Sequence, residues 1–307
     1  MRLEAKRAGS VLRRLVAAGL ALAAQNARAQ ELEPRAYAPA PVGGNIFLAT
    51  YARTEGSVVF DPSVPLLDVE ARLNASGVGY FRTFGLLGRS ASVGVAFPYV
   101  WGDVQGNVGE EFRRVTRSGL GDPRARLVVN LLGGRALTLQ EFVQRKPRTT
   151  LGASVVVVVP SGQYDPAKLV NIGTNRWAFK PELGVSKPMG RFTAELYAAV
   201  WLFTDNPDFF GGQHREQQPM GGLQGHVSYT FKPRLWLAAN ATFYTGGRTS
   251  LDGVTKADLQ RNTRLGATLS LPVAKRVSIK VAWASGLITR IGGDFDTLSA
   301  AWQVQWF

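Results

Sequence analysis

Cysteine is absent from the chain, and histidine occurs only as His214 and His226. The first absence excludes disulfide scaffolds, thiolate metal sites, iron–sulfur clusters and cysteine nucleophiles. The second excludes a metal centre built from several imidazoles. No cofactor or energy-coupling segment is visible. Negative charge is scarce: 22 Asp and Glu stand against 36 Lys and Arg over 307 residues, a formal charge of +14. No basic cluster with interleaved aromatics accompanies that excess, so nucleic acid is a poor candidate partner. Beyond residue 29, no apolar run approaches the ~20 residues a spanning helix needs. Runs such as Val155 to Pro160 fall far short of it. A hydrophobic fraction of 45% still excludes general disorder.

The start of the chain stands apart. Arg2, Lys6, Arg7, Arg13 and Arg14 precede an apolar run from Leu15 to Ala24, which ends at Ala27-Arg28-Ala29. That is the layout of a bacterial secretory signal peptide, cleaved after residue 29. The expected division is 1–29 signal peptide, 30–43 short periplasmic segment and 44–307 barrel. The mature chain keeps 30 basic and 21 acidic residues, a net charge of +9.

What fills the remainder is period-two alternation, which places one residue set on each face of a strand. Asn262, Arg264, Gly266, Thr268 and Ser270 alternate with Thr263, Leu265, Ala267, Leu269 and Leu271. Ser278 and Lys280 alternate with Val277, Ile279 and Val281. About twelve such segments recur, near 44–54, 68–84, 90–102, 119–132, 151–160, 176–187, 191–204, 218–231, 235–246, 259–271, 277–290 and 294–306. Most exceed the ~5–6 residues of a soluble strand and match a tilted transmembrane one.

Short turns at Gly85–Gly88, Lys187–Gly190, Lys232–Arg234 and Pro272–Lys275 alternate with long polar loops. That asymmetry marks an all-β fold, a transmembrane antiparallel β-barrel of about twelve strands. Residues 133–149 break the rule, with a small helix expected over Leu137 to Arg145. A count of fourteen strands, with an extra pair within 103–149, stays open. Aromatics expected at the membrane interfaces are Trp101, Tyr99, Trp177, Phe179, Trp236, Phe243, Tyr244, Trp302 and Trp306. Leu298, Ala300, Trp302, Val304 and Trp306 form an apolar face running to the chain end, similar to the signal read by the barrel assembly machinery.

Several phrases carry a family resemblance. They include Tyr80-Phe81-Arg82-Thr83-Phe84, Gly119-Leu120-Gly121-Asp122-Pro123 and Gly162-Gln163-Tyr164-Asp165-Pro166. Asn171 to Trp177, Phe203-Thr204-Asp205-Asn206 and Gly292 to Asp296 continue the series. Together, over about residues 42–306, they resemble the phenol-degradation MetA-pathway family of outer-membrane proteins. The resemblance implies a barrel with a transport-like role and no catalytic residue set.

Reading the polar face as the lumen gives Arg53, Glu70, Arg72, Arg82, Asp122, Arg124, Arg126, Lys180, Glu182, Glu195, His226, Arg264, Lys280 and Arg290. Nine are Arg or Lys and four are carboxylates. Fixed positive charge in a narrow bore favours anions. The competing reading is that these charges pair as internal struts. Tyr51, Tyr80, Tyr197 and Trp201 are the expected luminal aromatics, either stacking with an aromatic solute or filling space. Glu31 to Pro41 are free to dip into the bore. His226, Ser228 and Asn240 have a spacing similar to the Ser-His-Asn set of outer-membrane phospholipase A. Yet Tyr229-Thr230 follow the serine, and the phase points the pair into the lumen. Asp205, Asp208, Asp294 and Asp296 offer a weak signal for a divalent cation or a lipopolysaccharide bridge. The expected function is a channel or transporter for small solutes, anionic or aromatic, in the outer membrane of a Gram-negative bacterium. The alternatives are a lipid hydrolase and a closed structural or adhesion barrel.

Overall fold

The structure is a computed structural model that describes residues 33–59, 66–108 and 111–307. The expected signal peptide lies outside the described residues. All twelve expected segments are strands: β1 (Asn45–Val59), β2 (Leu66–Leu86), β3 (Arg89–Val108), β5 (Arg124–Leu132), β6 (Thr150–Val158), β7 (Ala178–Met189), β8 (Phe192–Phe203), β11 (Met220–Lys232), β12 (Leu235–Gly246), β15 (Gln260–Ala274), β16 (Val277–Ile288) and β17 (Gly292–Trp306). Each pairs antiparallel with its neighbours, and β1 pairs with β17 from Asn45↔Trp306 to Val59↔Gly292. That last pairing closes the barrel, so these strands leave no free edge in lipid.

The fourth expected segment holds two strands. β4 (Glu111–Leu120) ends before Gly121 and pairs only with the far half of β3, from Tyr99↔Leu120 to Val108↔Glu111. The 103–118 stretch, expected to be a loop, is thus a hairpin extending beyond the barrel rim. The count is twelve barrel strands plus this extra one. Over 133–149 a short helix α1 (Leu139–Gln144) forms behind a capping box of Thr138 and Glu141. Four short strands, β9 (Asn206–Phe209), β10 (Gln213–Gln217), β13 (Thr249–Leu251) and β14 (Val254–Thr255), make a second sheet at the extracellular side.

The burial strings show the alternation directly. β6 reads buried at Thr150, Gly152, Ser154, Val156 and Val158, with the residues between them half-buried. Along β12, Trp236, Ala238, Asn240, Thr242 and Tyr244 are buried, whereas Leu237 and Phe243 are exposed. The outward surface carries Val78, Phe97, Leu183, Leu196, Val227 and Leu298, all exposed and apolar, as a lipid-facing wall requires. Paired aromatics band that wall near its ends: Tyr51 with Trp101, Tyr80 with Trp306, and Phe192 with Tyr229. Trp236 and Tyr244, expected in these bands, lie on the inner face instead, because their strand is phased by outward Leu237 and Phe243.

Candidate functional site

The inner surface has two unlike walls. β1 to β3 turn Leu48, Ala52, Ala75, Phe81, Ala96 and Val100 inward, small or apolar side chains throughout. The opposite wall, β5 to β16, carries the charges. Arg124, Arg126, Lys180, Glu182, Glu195, Tyr197, His226, Arg264 and Lys280 all sit on its inner face.

The other expected luminal residues are elsewhere. Directly opposed residues of an antiparallel pair share a face. Exposed Leu298 opposes Arg53, and Arg53 opposes Asn74, so Arg53 and the even residues of β2 point outward. Arg72, Arg82 and Glu70 are therefore outside the bore, as are Tyr51 and Tyr80. Their polarity misled because Arg53, Glu70 and Arg72 lie at strand ends beyond the apolar layer, where charge does not distinguish lumen from lipid. Arg53, Arg72 and Asp103 line an outer cavity of about 390 Å³ beside Trp101. Asp122 is a loop anchor, accepting from the Gly162 and Thr174 backbone N–H groups at 2.9 Å each. Arg290 is exposed in the β16–β17 connection.

Inside the charged wall lies a segment expected in the periplasm. Residues 33–43 enter from the periplasmic end and occupy the bore. Thr83 at the rim donates to the Pro41 carbonyl at 2.6 Å, and Ser90 donates to the Ala40 carbonyl at 2.9 Å. Further in, the Tyr37 hydroxyl donates to Glu182 Oε1 at 2.9 Å and meets Ser154 Oγ at 3.0 Å. Its ring is fully buried and stands edge-on to Tyr197, centroids 5.0 Å apart. The seat exists because Gly152 and Gly184, paired across β6 and β7, have no side chains. A Cβ on either would come within 2.1 Å of the ring. Arg35 donates from its backbone to Glu195 at 2.8 Å and from its guanidinium to Ser228 at 3.0 Å and Thr230 at 2.6 Å. That guanidinium also stacks over Trp236 at 4.6 Å. Glu33 pairs with Arg126. The charges on the wall thus draw in a charged strap that apolarity alone would not hold. Sequence periodicity misses Glu33, Arg35 and Tyr37 because they belong to no strand. The available signal is their density in a short segment free to dip inward.

Higher in the bore, Arg264 donates through Nη2 to the Phe295 carbonyl at 2.8 Å. Its Nε and Nη1, with Gln224 Oε1 and Thr242 Oγ1, have no partner among the described residues. At the extracellular end, Val170 and Leu169 of the long β6–β7 loop pack on Val69, Ala71, Val104 and Phe295. Arg215 of the outer sheet is buried over Phe209, and burial pushes its pKa down to about 10.

His226 Nδ1 and Asn240 Oδ1 are 2.8 Å apart, but Ser228 is bonded to Arg35 rather than to the imidazole. Both side chains face the bore, away from lipid. The loop carboxylates do not converge as a set. Asp205 joins His214 and Glu216 in an exposed cluster that excludes Asp208, Asp294 and Asp296.

A family model described as "Putative MetA-pathway of phenol degradation" matches residues 54–290. The chain belongs to this family. No curated protein matches it. Among solved structures, an outer membrane channel from Pseudomonas putida F1 is similar with a TM-score of 0.75 and 21% identity, over 90% of this chain and 100% of that one. The beta domain of the Bordetella autotransporter BrkA is similar with a TM-score of 0.49 and 11% identity, over 86% of this chain and 100% of that one. At 21% identity the likeness to the Pseudomonas channel is one of fold, the outer-membrane β-barrel.

Proposed function

We propose that the barrel is an outer-membrane channel for small anionic solutes. The observation that carries this is the charge of the bore. Arg35, Arg124, Arg126, Lys180, Arg264 and Lys280 face it, against the carboxylates of Glu33, Glu182 and Glu195. Low-dielectric walls focus such a field and concentrate anions. Arg264 adds buried N–H donors that lack partners among the described residues, which is what a pathway for carboxylates or water needs. The similar Pseudomonas structure is itself an outer membrane channel, which supports the reading. The opposite wall of small apolar residues suits an aromatic body. No reaction is assigned, since the candidate serine is not bonded to its histidine.

The exported chain would meet the barrel assembly machinery through the β17 face ending at Trp306. Lipopolysaccharide phosphates would meet the outer cavity at Arg72, because its Arg53 is paired with Glu55. Planar-bilayer recording of the refolded mature chain tests the function. Conductance steps with a reversal potential favouring chloride are expected, and cation preference would refute it.

A further inference from the structure

Among the described residues, Glu33 is the one carboxylate in the bore that the barrel wall does not supply. It pairs with Arg126 and lies in the field of Lys180 and Lys280. It is also the carboxylate that Lys280 faces. Arg126 and Lys180 share Glu182 besides, at 3.3 and 3.5 Å. The Glu33 side chain keeps 44% of its surface exposed, so the pair borders open space.

An open bore and this strap exclude one another. For a solute to pass, residues 33–41 must leave, and Glu33 leaves with them. Arg35 leaves too, from its seat by Ser228 and Thr230, but around Glu33 the loss is one-sided: Arg126 loses its ion pair and Lys280 the carboxylate it faces, and cations in a confined bore with fewer counter-ions are disfavoured. A neutral solute cannot replace the lost charge, whereas a carboxylate can.

The neighbouring residues describe the rest of that solute. Gly94 opposes Arg126 across β3 and β5, and Phe81 opposes Gly94 across β2 and β3. The Phe81 ring lies over Gly94, where a Cβ would sit 2.0 Å from Cδ1. A flat apolar face thus stands on the same inner surface as Arg126, two strands away. We propose that Arg126, Lys180 and Lys280 form a binding site for the carboxylate of a solute with a planar apolar body, that Glu33 fills it as a tethered stand-in, and that the solute frees the bore by displacing Glu33. The inference rests on the channel reading above.

A tethered competitor reduces the apparent affinity of its rival to the fraction of time it leaves the site free. Benzoate is the probe, titrated calorimetrically into the mature chain in detergent, with benzyl alcohol as the neutral counterpart. In Glu33→Gln, benzoate binding should tighten about tenfold or more. Benzyl alcohol should give no saturable heat, and Arg126→Gln should abolish benzoate binding. Glu33 lies on the strap, so its variant keeps the test valid even where the Arg126 variant does not fold. Equal benzoate affinity in wild type and Glu33→Gln overturns the proposal, as does binding of benzyl alcohol as tight as that of benzoate. Bilayer recordings separate the two readings. Benzoate binding with the expected rank order in a silent bilayer overturns the channel and leaves the site. Chloride steps that benzoate changes in neither form overturn the site and leave the channel.

Discussion

Gly152 and Gly184 leave room for a single ring between them, and a methyl group on either removes that room. Gly184→Ala places its Cβ 2.1 Å from Tyr37 and 2.7 Å from Tyr197, so the Tyr37 ring must leave its seat. Three interactions go with it. Full burial of an aromatic side chain contributes about 2 kcal/mol. The edge-on contact with Tyr197 adds about 1 kcal/mol. The hydroxyl bonds to Glu182 and Ser154 contribute about 1 kcal/mol between them. Together these are about 4 kcal/mol, close to a thousandfold in the occupancy of the bore by residues 33–43. Glu33 and Arg35 still hold their partners, so the observed change should be smaller, about a hundredfold. Amide hydrogen exchange over 33–43 reports that occupancy, because the Ala36 N–H donates to Tyr197 Oη. Bilayer recordings should show a larger open fraction in Gly152→Ala and Gly184→Ala alike. If both variants fold and neither exchange nor open fraction moves, the glycine seat does not hold the strap.

The register makes a contrast that sequence polarity does not. Arg264→Ala should shift the reversal potential toward cations, whereas Arg53→Ala and Arg72→Ala should leave it unchanged, since both side chains face outward. Asn240→Leu strips His226 of its partner and Thr268 of a donor at 3.0 Å, and should lower stability in urea refolding by about 1–3 kcal/mol. Glu141 accepts from the Thr138 backbone N–H at 2.8 Å and from its hydroxyl at 2.9 Å, which holds its carboxyl below the usual glutamate range. The protection of α1 should therefore be complete above pH 4.5 and fade as pH falls through the lowered value. Exchange measured against Glu141→Gln, which should lack this pH dependence, checks it.

The barrel is legible in the sequence because lipid on one side and a polar bore on the other impose strict alternation. Strands such as β6, β7, β12 and β15 show it residue by residue. The same signal fails on β1 and β2, where both faces carry a similar mixture. Val69, Ala71 and Leu73 turn inward under a loop while Glu70 and Arg72 face out, so polarity inverts just above the membrane. Only the pairing with β17, anchored by Trp302 and Leu298, resolves the phase. The strap is hidden for another reason. Residues 33–43 have no periodicity, and what binds them is distributed over β6, β7, β8 and β11. A ring socket made of two glycines leaves no side chain for a pattern to register.

The division of the bore into an apolar wall and a charged wall restricts how a molecule can travel along it. Leu48, Ala52, Ala75 and Phe81 offer no hydrogen bond to a charged group, while Arg124, Arg126 and Lys180 line the strands that continue the sheet beyond β3. A solute with one charged end slides with that end toward β5–β7 and cannot tumble. A dianion of similar size, charged at both ends, avoids that wall only where its span matches two cations, such as Arg126 with Arg264 or Lys280. The fold therefore sorts by the arrangement of charge within a molecule as well as by its amount, and head-and-tail acids should be favoured over their symmetric relatives.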